Sequence, residues 1–509
     1  MITIPQKNKI IHPFLFAIFP VLFLFSHNID QTLLTDFLVP ASLIILVSFI
    51  VFIGLGFAFK NYIKSALFVS LSAGILFLYG HFYNLLQVFS TTTDIFVSNL
   101  IPIISFFIIF TTGSIYLIKA KRKFDNLTKI LNIISISIVA ISMINIISFY
   151  ITTDFSSEFY NDSEVIMLEQ QNLPDIYYII LDGYPSSDNL EKYLDYDNSS
   201  FMDFLKEKGF YVATQSWSNY PTTITSLTSS LNMEYINYLF GDQEGQVNYH
   251  SFIEDTDKNK VMIKVKQKGY TIINFDSGYR LTRHISTADQ NLCSFNQITN
   301  SEFIIILLET SLFKPIYSKF FEQSSRDRVL CPFSEIPQLQ NKYQTPIFVF
   351  AHFVAPHQPF LFGPNGEPIY SNTLTLDKDK WDTKKFLDQL TFINKKTQEL
   401  VIKILNDSEA PPIIVIQGDH GSGASELDWN DPKKDSLQKR MGILNAYYLP
   451  DGGENHLSKT ITPVNSFRVI FNYYFNENYE ILEDKNFFLK GGPDLKNSEI
   501  IDVTHILNT

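Results

Sequence analysis

The sequence predicts two unlike parts: an N-terminal α-helical membrane bundle, and an α/β domain with a mainly parallel central sheet covered by helices on both faces. Residues 1–151 are very apolar and almost free of acids, whereas residues 173–509 have the mixed composition of a soluble domain. In the second part, unbroken apolar segments alternate with amphipathic ones. A chain of 509 residues is also too long for one ordinary domain. We place a linker with a short helix at 152–172.

Five apolar stretches make up the first part, at 11–28, 37–59, 65–85, 95–118 and 130–151. A helix needs about 20 apolar residues to cross a bilayer, and four of the stretches reach that length easily. The first is shorter and contains Pro13 and Pro20. A signal peptide is the alternative for it, but no small-residue cleavage site follows, so we predict five membrane helices.

The charges of the connecting loops predict the orientation. Basic residues occur only before the first helix, between the second and third, and between the fourth and fifth: Lys7, Lys9, Lys60, Lys64, Lys119, Lys121, Arg122, Lys123 and Lys129. The other two loops contain Asp30, Asp36 and Asp94 and no Lys or Arg. The positive-inside rule then puts the N-terminus in the cytoplasm and the second part outside, as in a multi-pass cell-membrane protein with an extracytoplasmic domain.

Composition excludes several functions. A formal net charge of −12 argues against a nucleic-acid partner. Ionisable residues in the spans are limited to three histidines near span ends, so the bundle is an anchor or a platform for a lipid substrate rather than a pore: His12, His27 and His81. The two cysteines, Cys293 and Cys331, form no CxxC motif, so a thiolate zinc site is excluded. A disulfide between them is permitted outside the cytoplasm, and two free thiols are an equal alternative.

The second part contains five segments with the unbroken apolar composition of buried strands, at 175–182, 271–277, 346–356, 411–421 and 443–450. Helical patterns lie between and after them, at 199–210, 382–407 and 465–475. Such alternation predicts a mainly parallel sheet covered on both faces, with ligands at the carboxyl ends of its strands. The apolar segment 301–320 is interrupted by Glu302, Glu309 and Lys314, so we predict a core or membrane-apposed helix instead of a sixth span.

Two strand ends carry side chains that can bind metal. The first predicted strand runs into Asp182-Gly183, and the strand at 411–421 runs into Gly418-Asp419-His420-Gly421. A single Asp after a strand is commonly a turn residue or a helix cap. Asp-His between glycines is a sharper signal, because carboxylate and imidazole together suit Zn²⁺ or Mn²⁺.

A third segment places hydroxyl groups at a predicted helix start. Residues 218–227 read SNYPTTITSL, in which Thr222 and Thr223 precede a run of small residues. The positive end of a helix dipole stabilises an anion, and the N–H groups there can hold a phosphate. An ordinary threonine N-cap is the alternative.

These motifs together, in this order, resemble the membrane-bound sulfatase-like family of the alkaline phosphatase superfamily, which includes lipoteichoic acid synthase and the lipid A phosphoethanolamine transferases. They are LDGYP at 181–185, SNYPTTITSLTSSLNM at 218–233, APHQPFLFGPNG at 355–366 and QGDHGSG at 417–423. The resemblance covers roughly 172–475. It implies an alkaline-phosphatase-like fold for the second part, with a divalent metal, Mn or Zn in first place and Mg or Ca as alternatives.

The resemblance also implies roles for individual residues. Asp182, Asp419 and His420 take the positions of metal ligands, and Thr223 takes the position of the nucleophile that completes the metal's shell. Thr222 is the competing assignment for the nucleophile.

Two further residues resemble substrate-binding positions. His357, in Pro-His-Gln-Pro, matches the histidine that contacts the anionic group of the substrate. Arg440 is a weaker candidate for the substrate phosphate, with a solvated arginine as its alternative. His352, His456 and His505 are available for a second metal, but nothing in their spacing distinguishes them, and we interpret each as structural.

The sequence departs from true sulfatases at the nucleophile. Those enzymes have Cys or Ser in a Cys/Ser-x-Pro-x-Arg segment, and that residue becomes a formylglycine. Here the corresponding residues are Thr223, Thr225 and Leu227, and threonine cannot supply the aldehyde. The first strand also ends in one Asp instead of an adjacent pair. Both departures favour phosphoryl transfer over sulfate-ester hydrolysis.

The resulting hypothesis is a metal-dependent transferase. It would move a phospho-group, of phosphoglycerol or phosphoethanolamine type, from a lipid donor to an envelope glycan or lipid through a phospho-threonine intermediate. A hydrolase of phosphate or sulfate esters with the same fold is the first alternative. The second is an inactive sulfatase-like scaffold, which the joint presence of Asp182, Thr223, Asp419 and His420 disfavours.

Overall fold

A computed structural model describes residues 9–29, 32, 34–89, 95–152, 173–240, 249–294, 302–343, 345–369, 381–423, 427–493, 495 and 498–508. The predicted linker at 152–172 lies outside these residues except for its first position. Contacts divide the chain into two units. A helical unit comprises 1–159 and 296–321, and a second unit comprises 160–295 and 322–509.

The helical unit contains a helix at each of the five apolar stretches: α1 (His12–His27), α2 (Leu34–Phe59), α3 (Tyr62–Phe89), α4 (Ile95–Lys119) and α5 (Asp125–Thr152). Within the described residues, four of them are long and apolar enough to cross a membrane, and α1, with 16 residues, is shorter. Their outer surfaces are apolar, as at Leu43, which is 60% exposed, and Ile133, which is 66% exposed. Such exposure is costly in water and is expected in lipid.

A short helix from the later part of the chain completes this unit. Helix α12 (Glu302–Glu309) has eight residues, too few to span a bilayer. Its Phe303 and Leu307 pack in an apolar cluster with residues of α1, α2 and α3. It is followed by α13 (Lys314–Glu335), which belongs to the second unit from residue 322 on.

Backbone hydrogen bonds attach the end of α12 to one turn of α3. The Gly80 N–H donates to the Thr310 carbonyl at 3.0 Å, and the Leu312 N–H donates to the Leu76 carbonyl at 2.8 Å. Leu76 and Gly80 are one helical turn apart, so the segment lies directly against the α3 backbone. This approach requires glycine, because a Cβ at position 80 would be 2.5 Å from the Glu309 carbonyl oxygen.

The second unit is built on a sheet of seven strands: β1 (Ile176–Leu181), β2 (Tyr211–Val212), β3 (Thr271–Phe275), β4 (Gln290–Leu292), β5 (Ile347–Phe353), β6 (Ile413–Gly418) and β7 (Asn445–Tyr448). A separate hairpin pairs β8 (Phe487–Lys490) with β9 (Glu499–Asp502). The α-helices of this unit, besides α13, are α6 (Ser187–Leu194), α7 (Ser199–Glu207), α8 (Thr223–Asn232), α9 (Tyr249–Asp257), α10 (Lys260–Gln267), α11 (Arg280–Arg283), α14 (Thr383–Asp407), α15 (Lys434–Met441), α16 (Pro463–Phe475) and α17 (Thr504–Asn508). Short 3₁₀ helices occupy Asn237–Phe240, Ile336–Gln338 and Pro450–His456.

The strand order is β2-β7-β6-β1-β5-β3-β4. Strands β6, β1, β5, β3 and β4 pair in parallel, and β7 is antiparallel to β6. All six side chains of β1 are fully buried. Alternate residues of β1 enter two different cores, with Tyr178 in one and Tyr177 in the other. The predicted mainly parallel sheet, covered on both faces, is confirmed, and each of the five predicted strand segments contributes a strand.

The pairing register decides which side chains meet at the carboxyl edge. Leu181, the last residue of β1, is opposite Phe353 of β5 and Gly418 of β6. The residues that follow these strands, Asp182 and Asp419, therefore emerge side by side at the centre of the sheet. Ligand sites of parallel sheets lie at this edge.

Cys293 and Cys331 form a disulfide, with their Cα atoms 6.0 Å apart. The two cysteines belong to the second unit, whereas residues 296–321 between them belong to the helical unit. The bond therefore brackets the excursion of the chain that contains α12. A disulfide is compatible with an oxidising compartment outside the cytoplasm.

The Gly80 contact yields a stability prediction. Gly80→Ala places a methyl group against backbone that cannot rotate away, an overpacking error of about 1–3 kcal/mol. We expect the full-length variant in detergent to melt several degrees below wild type by differential scanning fluorimetry. Gly54→Ala on α2 is the matched control, because no atom lies within 4 Å of its added Cβ. Equal melting temperatures of the two variants would show that the α3–α12 contact is not formed.

Candidate metal and nucleophile site

Two buried carboxylates define the centre of the candidate site. Asp182 follows β1 and is 4% exposed, and Asp419 follows β6 and is 1% exposed. The Asp182 N–H donates to the Phe353 carbonyl at 2.9 Å, which continues the β1–β5 ladder to the aspartate itself. Gly183 has a φ of +70°, a left-handed conformation that glycine adopts without strain.

The glycines around Asp419-His420 permit close approach of other backbone segments. A Cβ at Gly418 would be 2.4 Å from the Tyr184 carbonyl oxygen, and one at Gly421 would be 2.4 Å from the Lys439 carbonyl oxygen. Neither glycine has a positive φ. These glycines therefore admit neighbouring backbone and do not turn the chain through a left-handed conformation.

The carboxylate of Asp419 is oriented by main-chain groups. Its Oδ1 accepts hydrogen bonds from the N–H groups of Gly183 and His420, both at 2.9 Å. Its Oδ2 is buried and has no hydrogen-bond partner within the described part of the chain. One oxygen thus fixes the side chain, and the other is left to bind a positive group.

His352, which the sequence did not distinguish from a structural histidine, lies with the two carboxylates in a group that could hold a metal ion. It is the penultimate residue of β5, and its Nε2 is 3.4 Å from Asp182 Oδ2. Asp182, His352 and Asp419 each offer a ligand atom, and these atoms lie within 4.8 Å of one another. Within the described part of the chain, neither His456 nor His505 belongs to this group.

His420 lies on the other side of the same carboxylates. Its Nε2 is 3.4 Å from Asp419 Oδ2 and 3.6 Å from Asp182 Oδ1. Its Nδ1 is 2.8 Å from the Gly421 carbonyl oxygen, which can only accept, so Nδ1 bears the hydrogen and Nε2 presents a lone pair. Burial, with a smaller effect of Arg440, lowers the pKa of His420 to about 4. The imidazole is therefore neutral at neutral pH, as a metal ligand must be.

The charge balance of the site lies in histidines and a guanidinium. Burial alone would raise the pKa of Asp182, but the neighbouring His357, His352 and His420 hold the pKa of that carboxyl well below its usual range. The acid is therefore ionised. An ionised carboxylate in a dry interior is costly unless a positive charge is close.

The unpaired atoms test whether a cation fits. Among the described residues, Asp182 Oδ1, His352 Nε2 and Asp419 Oδ2 are buried without a hydrogen-bond partner. Buried polar atoms are normally satisfied, and ligand atoms of these three residues lie within 4.8 Å of one another, as expected of a group that binds a cation. Carboxylate oxygens together with imidazole nitrogens suit Zn²⁺ or Mn²⁺. The residues fit a divalent cation.

The predicted nucleophile, Thr223, has its hydroxyl beside His420. It is the first residue of α8, and its Oγ1 is 3.2 Å from His420 Nε2. Three residues on, Ser226 Oγ donates to the Asp419 carbonyl at 2.6 Å and attaches the helix start to the metal-site loop. Thr222 Oγ1 instead lies 2.8 Å from Thr225 Oγ1. The geometry therefore favours Thr223 over Thr222 as the nucleophile.

His357 is adjacent to the group without being part of it. Its N–H donates to the Asp182 carbonyl at 3.0 Å, and its ring centroid is 6.1 Å from that of His420. Its Nδ1 is 2.7 Å from the Gln358 carbonyl oxygen, which leaves Nε2 for another partner. The half-buried ring is placed beside the site, where a substrate could reach it.

Arg440 is buried, so the alternative of a solvated arginine was wrong. Its Nε donates to the Pro221 carbonyl at 2.6 Å and its Nη1 to the Gly421 carbonyl at 3.1 Å. The guanidinium thus connects the segment before α8 to the loop after β6. Burial lowers its pKa to about 10, which keeps it charged at neutral pH. It supplies positive potential behind the site.

Comparisons with known proteins return structures only; no protein-family model and no curated protein matches the chain. One neighbour is the C-terminal periplasmic domain of EcEptC from Escherichia coli, with 15% identity, coverage of 66% of this chain and 94% of that one, and a TM-score of 0.42. The integral membrane protein lipooligosaccharide phosphoethanolamine transferase A (EptA) from Neisseria meningitidis has 11% identity over 91% of this chain and 94% of that one, with a TM-score of 0.37.

A third neighbour, the putative sulfatase yidJ from Bacteroides fragilis, has 11% identity over 64% of this chain and 83% of that one, with a TM-score of 0.39. The neighbours are phosphoethanolamine transferases and sulfatases, the groups that the sequence motifs resemble. At such identities and TM-scores these likenesses carry no statement about chemistry, which has to come from the site itself.

The carboxylate–histidine group yields a metal-binding prediction. We expect the purified full chain to contain about one equivalent of Zn or Mn by elemental analysis. Asp419→Asn and His352→Gln should each weaken binding by on the order of 100-fold or more, since each removes a ligand atom.

Asp276→Asn is the matched control, because Asp276 is 2% exposed and follows β3 at the same sheet edge but is outside the group. Retained metal in His352→Gln with loss in Asp419→Asn would return His352 to a structural role. Absence of metal under any loading condition would reject the site.

Proposed function

We propose that the chain is a metal-dependent transferase that moves a phospho-group, of phosphoglycerol or phosphoethanolamine type, from a lipid donor to an envelope glycan or lipid through a phospho-threonine intermediate. One observation supports this above others. The Thr223 hydroxyl begins a buried helix 3.2 Å from His420 Nε2, beside two buried carboxylates with unpaired oxygens. A hydroxyl in this place is better interpreted as a nucleophile than as a helix cap. Thr222, the N-cap residue of α8, makes no side-chain cap hydrogen bond.

The cation would be held by Asp182, Asp419 and His420, with His352 as a fourth ligand and Thr223 at its open side. As a Lewis acid it would lower the pKa of the threonine hydroxyl and neutralise phosphate oxygens. The protein orients the nucleophile, because α8 is buried along its length and is attached to the Asp419 carbonyl through Ser226.

The transfer would take place in two half-reactions. In the first, Thr223 Oγ bonds to phosphorus and the bond from phosphorus to the lipid oxygen breaks. The hydroxyl proton ends on the lipid oxygen, so the lipid leaves as a neutral alcohol. In the second, an acceptor hydroxyl bonds to phosphorus, the bond to Thr223 breaks, and Thr223 recovers a proton.

Three features of the protein would stabilise charge on the phosphate oxygens. The first turn of a helix leaves its N–H groups without intrahelical partners, and α8 presents that end at Thr223. The His357 ring lies at the rim of the site, and the Arg440 charge lies behind it. Preorganised positive groups of this kind act where charge builds up in the transition state.

A hydrolase of phosphate or sulfate esters is the alternative, since water could replace the acceptor hydroxyl in the second half-reaction. The membrane helices favour a lipid donor, and the absence of a residue that can become formylglycine disfavours sulfate. An inactive scaffold would have no need to keep two carboxylates buried beside a hydroxyl, because burying each one carries a desolvation cost.

The proposed location is the cell membrane. Five passes, at residues 1–151, would put the N-terminus in the cytoplasm, and a linker at 152–172 would lead to a catalytic domain at 173–509 outside it. The basic loop residues support this orientation, and so does the disulfide, which persists in an oxidising compartment.

The nucleophile is tested by three variants of the full chain in vesicles, with release of diacylglycerol from fluorescent phosphatidylethanolamine or phosphatidylglycerol as the measurement. Thr223→Ala should lose activity by on the order of 10³-fold or more, because no oxygen remains to bond to phosphorus. Thr223→Ser should retain a part of it. Thr222→Ala, the matched control, should remain within a few-fold of wild type.

Intact-mass spectrometry should also detect a phosphorylated adduct on Thr223 when the acceptor is omitted. Full activity of Thr223→Ala would move the nucleophile to Thr222 or reject the mechanism. Water as the only effective acceptor would establish the hydrolase.

Topology is tested by cysteine labelling in intact cells. We expect Asn161→Cys to react with a membrane-impermeant maleimide, because position 161 follows the fifth span and would lie outside. Lys121→Cys, in the basic loop before α5, should react only after permeabilisation. The reverse pattern would invert the proposed orientation.

A further inference from the structure

The helical unit contains a cavity of about 970 Å³. It is lined by α1, α3, α4 and α5, and by α12 through Ile306 and Leu307. Part of its wall therefore comes from the excursion of the chain that lies between the two disulfide-bonded cysteines. The cavity is separate from the metal and nucleophile site, which lies wholly in the second unit.

The lining of the cavity is apolar. Of its side chains only Ser70, His81, Tyr116 and Thr310 carry polar groups. Ser70 Oγ lies 2.7 Å from His12 Nδ1, and Thr310 Oγ1 donates to the Leu307 carbonyl at 3.0 Å, so both hydroxyls have partners inside the protein. Apolar cavities without several polar partners do not hold ordered water. The occupant has to be a hydrocarbon.

The cavity opens to the outer surface of the helices. Phe23, Leu78 and Tyr116 line it and are also 44%, 59% and 49% exposed, so they form a rim that faces the surroundings of the bundle. Around helices that cross a bilayer, those surroundings are lipid. A molecule can therefore enter from the membrane without passing through water.

The cavity is longer than the hydrocarbon layer of one leaflet is deep, so it has room for an acyl chain. Lining residues on α3 run from Leu67 to His81, which is about 21 Å at about 1.5 Å per residue. The hydrocarbon layer of one leaflet is about 15 Å, half of about 30 Å. The volume would hold roughly thirty groups of about 30 Å³, the size of a water molecule, which suits acyl chains and is too small for a further helix.

We propose that this cavity binds an acyl chain of a membrane phospholipid, with α12 as the wall that closes it. Main-chain hydrogen bonds hold this wall in place: the Gly80 N–H donates to the Thr310 carbonyl, and the Leu312 N–H donates to the Leu76 carbonyl. The site recognises hydrocarbon and not a headgroup. It goes beyond the proposed transferase, and its occupant need not be the phospho-donor.

Two glycines provide a matched pair of variants. Gly74 lines the cavity, and a Cβ added there meets no atom within 4 Å. Gly54 on α2 has equally open surroundings but does not line the cavity. A phenylalanine at position 74 would fill the space, whereas one at position 54 would add the same ring outside it.

The experiment uses the full chain in phosphatidylcholine vesicles that contain phosphatidylcholine with a diazirine in one acyl chain. After irradiation, peptides carrying lipid are located by mass spectrometry. Wild type and Gly54→Phe should be labelled on α12, at Ile306 or Leu307, as well as on outer helix faces. Gly74→Phe should be labelled on α12 about tenfold less, the change expected when a ring displaces two or more methylene groups.

Labelling confined to the outer faces in wild type would overturn the proposal, whether or not Gly74→Phe folds. Equal labelling of α12 in wild type and in a folded Gly74→Phe would also overturn it. Thr223→Ala should be labelled like wild type, and metal content reports the second unit independently. Failure of the lipid site and failure of the proposed activity are thus distinguishable.

Discussion

The structure depends above all on keeping two carboxylates close together in a buried place. Parallel pairing of β1 with β5 and β6 fixes Asp182 and Asp419 at neighbouring strand ends, with ligand atoms within 4.8 Å. At about 4 Å and an effective dielectric constant of about 20, two like charges repel by about 4 kcal/mol. That repulsion adds to the cost of burial, so the arrangement persists only with compensating positive charge. Arg440 and a divalent cation are the positive groups available, and His352 and His420 offer ring nitrogens as ligands.

The neighbouring backbone follows from the same constraint. Main-chain N–H groups at Gly183 and His420 bind one oxygen of Asp419, and the glycines at 418 and 421 let the Tyr184 and Lys439 carbonyls come close. The buried Arg440 then connects the Pro221 and Gly421 carbonyls. As a result the start of α8, with Thr223, is fixed relative to the carboxylates by several independent bonds. The role proposed for Thr223 requires such a restriction of its position.

Much of this could be predicted from the sequence, and the omissions have physical causes. The strands of the sheet and the positions of Asp182, Asp419 and His420 follow from apolar runs that end in polar residues. His352 was missed because it lies inside such a run, and the sequence does not show which strand will pair with that run. Only the pairing register of β1 with β5 brings His352 close to Asp182. Arg440 resembles any arginine in a polar helix, and only the α15 packing shows that it is buried. The placement of α12 could not be predicted because an apolar octapeptide fits a soluble core and a membrane bundle equally well.

The excursion that carries α12 bears on what the helical unit is for. A simple anchor is complete once its spans are long enough, and residues 34–59, 62–83, 101–119 and 125–151 already satisfy that condition. The chain leaves the second unit for residues 296–321 and then returns to it. Ordering this excursion costs conformational entropy, and the Cys293–Cys331 disulfide reduces that cost because it joins the two ends of the loop. The segment then contributes two apolar side chains to an internal cavity and binds α3 through its main chain. Because anchoring requires none of these features, they are better explained by a helical unit that binds a lipid in addition to crossing the membrane.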